Sequence, residues 1–224
     1  MNSRTAIEEQ AILVLWPKRP KDRAIERREI GKRQGSKPSD HQLTFYSSPL
    51  LLKPMKLPGT ATAEENIHIA MGKLAIRPGD LFLDIGCGSG AVSLAASRYT
   101  DRIYGLDRRS EAVNLSRELV ECGKFLLGEA EEIIPRLPAV DRCFIGGTRG
   151  IDKFLPLLLE KATPGCVIVV DLARIGIASK VAELMKKEGI FREILQIHIN
   201  RGYDLAGDIA FKPINPIFMV IGKC

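Results

Sequence analysis

Gly86, Gly88 and Gly90 recur at alternate positions just after the apolar run 81–85 and just before a helical pattern that opens at Ala91. Glycine tolerates positive φ and lets a ligand approach the backbone closely. At the carboxyl end of a strand in an open α/β sheet, such a loop is a ligand cradle. Cys87 and Ser89 complete it. Asp84 stands two residues ahead of the first glycine.

Gly86, Gly88 and Ala91 also satisfy the looser dinucleotide fingerprint, so a nicotinamide cofactor has to be weighed. A carboxylate at position 84 would repel a pyrophosphate held at the helix start, whereas the ammonium and sulfonium of S-adenosylmethionine would be attracted. The methyl donor is preferred. Asp107 lies 21 residues beyond Gly86, where an acid accepts hydrogen bonds from ribose hydroxyls. It could instead cap the next helix, but Ser110 is better placed for that. Glu129-Ala130 follows the third apolar run on the same edge and suits adenine, although an exposed turn carboxylate gives the same pattern. Thr62 reads as a helix N-cap that can also face the cofactor.

Arg149, Arg174 and Arg201 each follow a predicted strand and so share that rim, an arrangement suited to a polycarboxylate ligand. Any one alone reads equally well as an ordinary exposed arginine. His41, His68 and His198, the last inside a predicted strand over 191–199, have no nucleophile beside them. A sulfonium methyl is already electrophilic, and its transfer needs alignment more than a base. No catalytic acid or base is assigned. The five cysteines are odd in number and never form C-x-x-C, so neither a disulfide framework nor a metal site is expected, and a reducing cytoplasm fits.

These residues need a scaffold. Strand-like runs at 81–85, 103–106, 125–127, 143–145 and 167–170 alternate with helical patterns at 91–98, 111–122, 152–161 and 177–188, which is the order of a parallel sheet with helices on both faces. Ahead of them, Thr62-Ala63-Glu64-Glu65 has the form of a capping box, followed by Ile67, Ala70, Met71 and Leu74 on one helical face. The runs 191–199 and 216–221 read as an antiparallel pair, joined by about 16 residues without a strong helical pattern.

The net charge of +6 invites a nucleic-acid partner, but its location argues against one. Residues 1–53 hold 11 Lys and Arg against 6 Asp and Glu, leaving 22 against 21 for the rest. The Pro-punctuated segment 1–56, with one candidate helix at 23–32, is read as an extension, and residues 57–224 as the catalytic domain. No apolar run approaches the roughly 20 residues of a membrane span, and no secretory signal is evident.

The chain resembles the cobalt-precorrin-6B C15-methyltransferase (decarboxylating) family of cobalamin biosynthesis. The resemblance rests on Thr62-Ala63-Glu64-Glu65, the 84–90 loop, Asp107, Gly128-Glu129-Ala130-Glu131-Glu132, Phe144-Ile145-Gly146-Gly147-Thr148, Asn200-Arg201-Gly202 and Asn215-Pro216. The glycine loop is common to many methyltransferases, while Gly146-Gly147 and Asn200-Arg201-Gly202 are narrower signals. The resemblance implies a class I methyltransferase fold: a Rossmann-like, seven-stranded, mostly parallel sheet with helices on both faces and an antiparallel last strand. It implies a homotetramer that methylates C15 of cobalt-precorrin-6B and promotes loss of the C12 acetate carboxyl, giving cobalt-precorrin-7. Donor contacts carry over to Thr62, to Gly86, Cys87, Gly88, Ser89 and Gly90, and to Asp107, Glu129 and Ala130. Gly147, Arg149, Arg174, Asn200 and Arg201 become substrate candidates. Arg149 departs from the family, which often has a second small residue there, as does Asp171-Leu172-Ala173, where an Asn-Ala step is common. The first 50 or so residues have no counterpart, so either translation starts at Met55 or the extension is specific to this lineage. The alternatives are an RNA or tRNA methyltransferase, whose usual Asn/Asp-Pro-Pro-Tyr/Phe after the fourth strand is replaced here by Phe144-Ile145-Gly146-Gly147, and a non-catalytic donor-binding subunit.

Overall fold

The computed structural model describes residues 62–224; the candidate helix at 23–32, His41 and the boundary at 56/57 lie outside them. Among the described residues nine strands and six α-helices, beginning with helix α1 (Glu64–Leu74), succeed one another in a largely alternating order. They are β1 (Phe82–Ile85), α2 (Ala91–Ala96), β2 (Ile103–Asp107), α3 (Ser110–Leu119), β3 (Gly123–Leu127), α4 (Ala130–Ile133), β4 (Val140–Ile145), α5 (Ile151–Lys161), β5 (Ala162–Leu172), α6 (Ile175–Lys187), β6 (Phe191–Ile197), β7 (Asn200–Leu205), β8 (Asp208–Pro213) and β9 (Ile217–Lys223), with α1 counted among the six. Seven strands form one sheet in the order β3-β2-β1-β4-β5-β9-β6. The pairs from β3 across to β5 are parallel, and β9 runs antiparallel to both of its neighbours, β5 and β6.

The central strands are buried on both faces, so alternate residues serve two cores. Leu83, Ile85, Cys143, Ile145, Ile168 and Val170 face one way and meet Phe154, Leu155 and Leu158 of α5 and Val181 and Met185 of α6. Phe82, Phe144, Val169, Met219 and Ile221 face the other way, against Ile67, Ala70, Met71 and Leu74 of α1, Val92 of α2 and Val113 of α3. This alternation places two carboxylates, Asp84 of β1 and Asp171 of β5, on the α1 side at the carboxyl end of the sheet.

Four sequence expectations change. Thr62 does not cap α1: Ala63 occupies the N-cap position with no side-chain cap, and the Thr62 hydroxyl donates to Asp171 Oδ2 at 3.2 Å. A long-range polar partner has displaced the local one. Ser110 is the first residue of α3 and not its cap; Arg109 holds that position, and its N–H donates to Asp107 Oδ1 at 3.0 Å. His198 lies outside a strand, because β6 stops at Ile197. The 16-residue connection is a second sheet, the β7–β8 hairpin, paired from Asn200↔Pro213 to Leu205↔Asp208. Its alternation was obscured because Tyr203, Leu205, Ile209 and Phe211 are distributed over both of its faces, so no single face reads as apolar.

Candidate cofactor and substrate site

The backbone of the loop after β1 is held by its neighbours on either side. Gly86 and Cys87 N–H groups donate to Leu106 O at 2.8 and 3.0 Å, and the N–H groups of Gly146 and Gly147 donate to Ile85 O at 2.9 and 3.2 Å. Gly86 has φ +79°, and a Cβ built there would lie 2.8 Å from Gly147 N. The loops after β1 and β4 therefore touch backbone to backbone, and the Gly146-Gly147 pair follows from that contact. Gly90 has a different role. A Cβ there would lie 3.0 Å from Ser116 Cα, so this glycine lets α2 and α3 approach.

Asp107 closes β2. Its Oδ2 accepts from Gly88 N at 3.1 Å and from Arg109 Nη2 at 2.9 Å, while Oδ1 accepts from Arg109 N and Nε, both at 3.0 Å. Burial alone would raise this carboxyl, but the hydrogen bonds from Arg109 and Gly88 outweigh burial and hold it below the usual carboxylate range. An ionised acceptor thus clips the glycine loop to the end of β2.

The loops after β1, β2, β3 and β4 enclose a cavity of about 310 Å³, near the lower end of the size typical of small-molecule sites. Among the predicted residues, Gly86, Asp107, Glu129, Ala130, Gly147 and Arg149 line it. Cys87, Gly88, Ser89 and Gly90 belong to the same loop but not to the cavity wall. Cys87 turns its thiol into the core, where burial pushes it up to about 12 and Ser116 Oγ lies 3.4 Å away. Thr62, Arg174 and Asn200 also lie off this wall. Arg201 binds Glu65 of α1 through Nε at 3.2 Å and Nη2 at 2.8 Å, pinning the hairpin to that helix. Wall residues missed from sequence include Leu106, Arg108, Arg109, Thr148 and Phe154. The Arg108-Arg109 pair directly after Asp107 was the available signal; Phe154 lies within a helix whose pattern pointed only to the core.

Two acids sit just behind the wall. Asp84 is fully buried, accepts from Ser93 Oγ of α2 at 2.6 Å and has no partner for Oδ1. Burial raises it to about 7, with the nearby Asp107 charge adding to the effect. Asp84 therefore lies beneath the glycine loop, off the cavity wall. Asp171 is partly buried; burial raises it as well, and its Oδ1 is without a hydrogen-bond partner. Among the described residues no His, Cys, Asp or Glu cluster is arranged to hold a metal, and no helix is long and apolar enough to cross a membrane. All five cysteines are free thiols.

A model of the precorrin methyltransferase domain matches residues 57–222. The chain belongs to the precorrin methyltransferase family. A relative from Methanosarcina acetivorans named "Probable cobalt-precorrin-6B C(15)-methyltransferase (decarboxylating)" is 39% identical over 175 residues, which span 74% of this chain and 94% of the relative. In fold the chain resembles a precorrin 8W decarboxylase from Methanobacterium thermoautotrophicum, with TM-score 0.70 at 24% identity over 73% of this chain and 92% of the other. It also resembles a precorrin-6y C5,15-methyltransferase from Geobacter metallireducens, with TM-score 0.68 at 22% identity over 73% and 91% of the two chains. The strand order and the antiparallel β9 are those of the class I methyltransferase fold expected from sequence. As a precorrin methyltransferase, the chain is an enzyme of methyl transfer, and the glycine contact between positions 86 and 147 lies within the matched residues.

Proposed function

We propose that this precorrin methyltransferase uses S-adenosylmethionine to methylate C15 of cobalt-precorrin-6B, with loss of the C12 acetate carboxyl, giving cobalt-precorrin-7. What carries the reading is the coincidence of two things on the same residues: the family match, and a cavity walled by the glycine loop and an ionised acid at the end of β2. The donor set suits the methyl donor. Asp107 offers carboxylate oxygens where ribose hydroxyls would lie, Glu129 and Ala130 line the same cavity from the neighbouring loop after β3, and the buried Asp84 behind the loop presents negative potential to an ammonium and a sulfonium. When bound, S-adenosylmethionine supplies an electrophilic methyl group. Gly86, Asp107, Glu129 and Ala130 on the wall, with Thr62 and the rest of the 86–90 loop beside it, are the residues that would hold the donor, and no base would be needed for attack by an electron-rich carbon.

The substrate carries carboxylates, and Arg149 on the cavity wall is placed to pair with one. Arg174 stands at the start of α6 beyond β5, on the same edge of the sheet. Gly147 lines the same cavity, and Asn200 and Arg201, at the start of a hairpin that Arg201 ties to α1 through Glu65, are the remaining substrate candidates. Most of the net positive charge falls within residues 1–53 of the sequence, ahead of the proposed catalytic domain at 57–224, so neither nucleic acid nor a membrane is part of the reading, and the place of action is the cytoplasm.

A homotetramer completes the proposal, and the β7–β8 hairpin supports it. Ile209 and Phe211 are 71% and 68% exposed on one face of the hairpin, and Tyr203 and Leu205 are exposed on the other. An arm apolar on both faces calls for cover from further copies of the chain. Replacing Ile209 and Phe211 together by Asp is expected to reduce the assembly to smaller species by light scattering, while the far-ultraviolet circular dichroism stays that of the folded domain.

The activity test supplies cobalt-precorrin-6B and methyl-labelled S-adenosylmethionine. The expected result is one labelled methyl group on the tetrapyrrole with release of carbon dioxide. Labelled tRNA and an unlabelled tetrapyrrole would transfer the assignment to the RNA alternative, and donor binding without any transfer would leave a non-catalytic subunit.

A further inference from the structure

The proposed reaction turns an acetate side chain into a methyl group, and that conversion needs a proton delivered to carbon. Glu129 lines the wall but is assigned above to the methyl donor, which leaves three aspartates to weigh. Asp107 is held ionised by Arg109 and Gly88, and Asp84 lies beneath the glycine loop with its Oδ2 engaged by Ser93. Asp171 differs from both. It stands near the carboxyl end of β5, and the pairing Ile145↔Val170 places it beside Gly146, which lines the cavity. Its Oδ2 accepts from Thr62 Oγ1 at 3.2 Å, and its Oδ1 is closed to solvent without a partner. Thr62 and the Leu172 backbone N–H are the groups that favour its charged form, and no charged side chain among the described residues offsets its burial. An ionised carboxylate left this way would be costly. A carboxylic acid is the species this environment favours, and its position beside a cavity wall is where a shifted acid is useful.

We propose that Asp171 is the proton donor that completes the decarboxylation. This rests on the function proposed above. Methyl transfer leaves the macrocycle one unit more positive, which makes it an electron sink. The bond between the acetate methylene and its carboxylate then breaks, the electron pair passes into the conjugated system, and carbon dioxide leaves. The exocyclic methylene carbon takes the proton from Asp171, and the macrocycle returns one proton from a ring N–H or C–H to the carboxylate, so the acid is regenerated. Thr62, which donates to the carboxylate, stabilises Asp171 in the interval.

The test separates the two half-reactions on the full chain. Asp171→Asn keeps the shape and an acceptor for Thr62, and is expected to transfer methyl within about threefold of wild type while slowing carbon dioxide release about a hundredfold, the scale of a lost general acid. A methylated tetrapyrrole that retains its carboxyl should accumulate by mass spectrometry. In the wild type, carbon dioxide release should fall as pH rises through the raised ionisation of Asp171, and the Asn variant should lack that limb. Thr62→Val removes a hydrogen bond that favours the carboxylate, so its limb should move to higher pH, a shift that loss of folding would not produce. Decarboxylation at the wild-type rate in Asp171→Asn, or equal loss of both half-reactions in a variant that still unfolds at the wild-type temperature, would overturn the assignment. A wild-type enzyme that transfers no methyl group to the tetrapyrrole removes the underlying function and the assignment with it.

Discussion

Gly86→Ala is expected to abolish binding of the methyl donor and to destabilise the domain by about 3 kcal/mol, the combined scale of backbone strain and overpacking. The backbone there has φ +79°, and the new Cβ would meet Gly147 N at 2.8 Å, an atom fixed by its hydrogen bond to Ile85 O. Neither loop can yield without breaking the ladder at the carboxyl ends of β1 and β4. Gly88 provides the contrast. Its φ is +56°, and the nearest atom to a Cβ is 3.9 Å away on the flexible Arg109 side chain, so Gly88→Ala should cost only about 1 kcal/mol. Thermal unfolding and calorimetric donor titration of both variants check the pair. Equal effects at the two positions would mean that the contact with the β4 loop does not govern the site.

The same contact explains which parts of the site were legible in the sequence. Glycines at 86, 88 and 90 announced a loop, and their alternate spacing after an apolar run located it. The sequence does not reveal that each glycine has a different reason: Gly86 meets the β4 loop, Gly88 donates to Asp107, and Gly90 admits α3. Thr62 and Ser110 were misread because capping residues are recognised from local spacing, whereas the hydroxyl of Thr62 is bound by an acid 109 positions away. The hairpin escaped because its apolar residues are divided between its two faces, the opposite of the one-sided alternation that marks an ordinary strand. Parallel strands buried on both faces, by contrast, were visible as continuous apolar runs, and the sheet followed from their order.

Asp84 combines a stability effect with a binding effect, and pH separates them. In the folded protein its carboxyl ionises at about 7, against 3.8 for an unperturbed group. Below the unperturbed value both folded and unfolded chains hold the proton, so the residue contributes no pH dependence there. Between the two values the folded chain keeps a proton that the unfolded chain has lost, so stability declines as pH rises through this window, and above about 7 the loss is constant. Asp84→Asn cannot ionise, and its unfolding temperature relative to wild type should climb between pH 4 and pH 7 and then level off. The gain over that span is on the order of 2–4 kcal/mol, set against the cost of burying an amide N–H that lacks an acceptor. Donor affinity should move the other way. A sulfonium and an ammonium favour the ionised acid, so wild-type affinity should strengthen by up to about tenfold in all as pH rises from 6 to 8 and level off above that. The Asn variant should bind weakly and without that dependence. Titration calorimetry across this range, in buffers of different ionisation enthalpy, would also detect the proton released on binding. A wild-type affinity flat with pH would mean that the carboxylate under the loop is a structural hydrogen-bond partner for Ser93 and nothing more. A sloped affinity would identify Asp84 as a charge retained for the cofactor at the expense of stability.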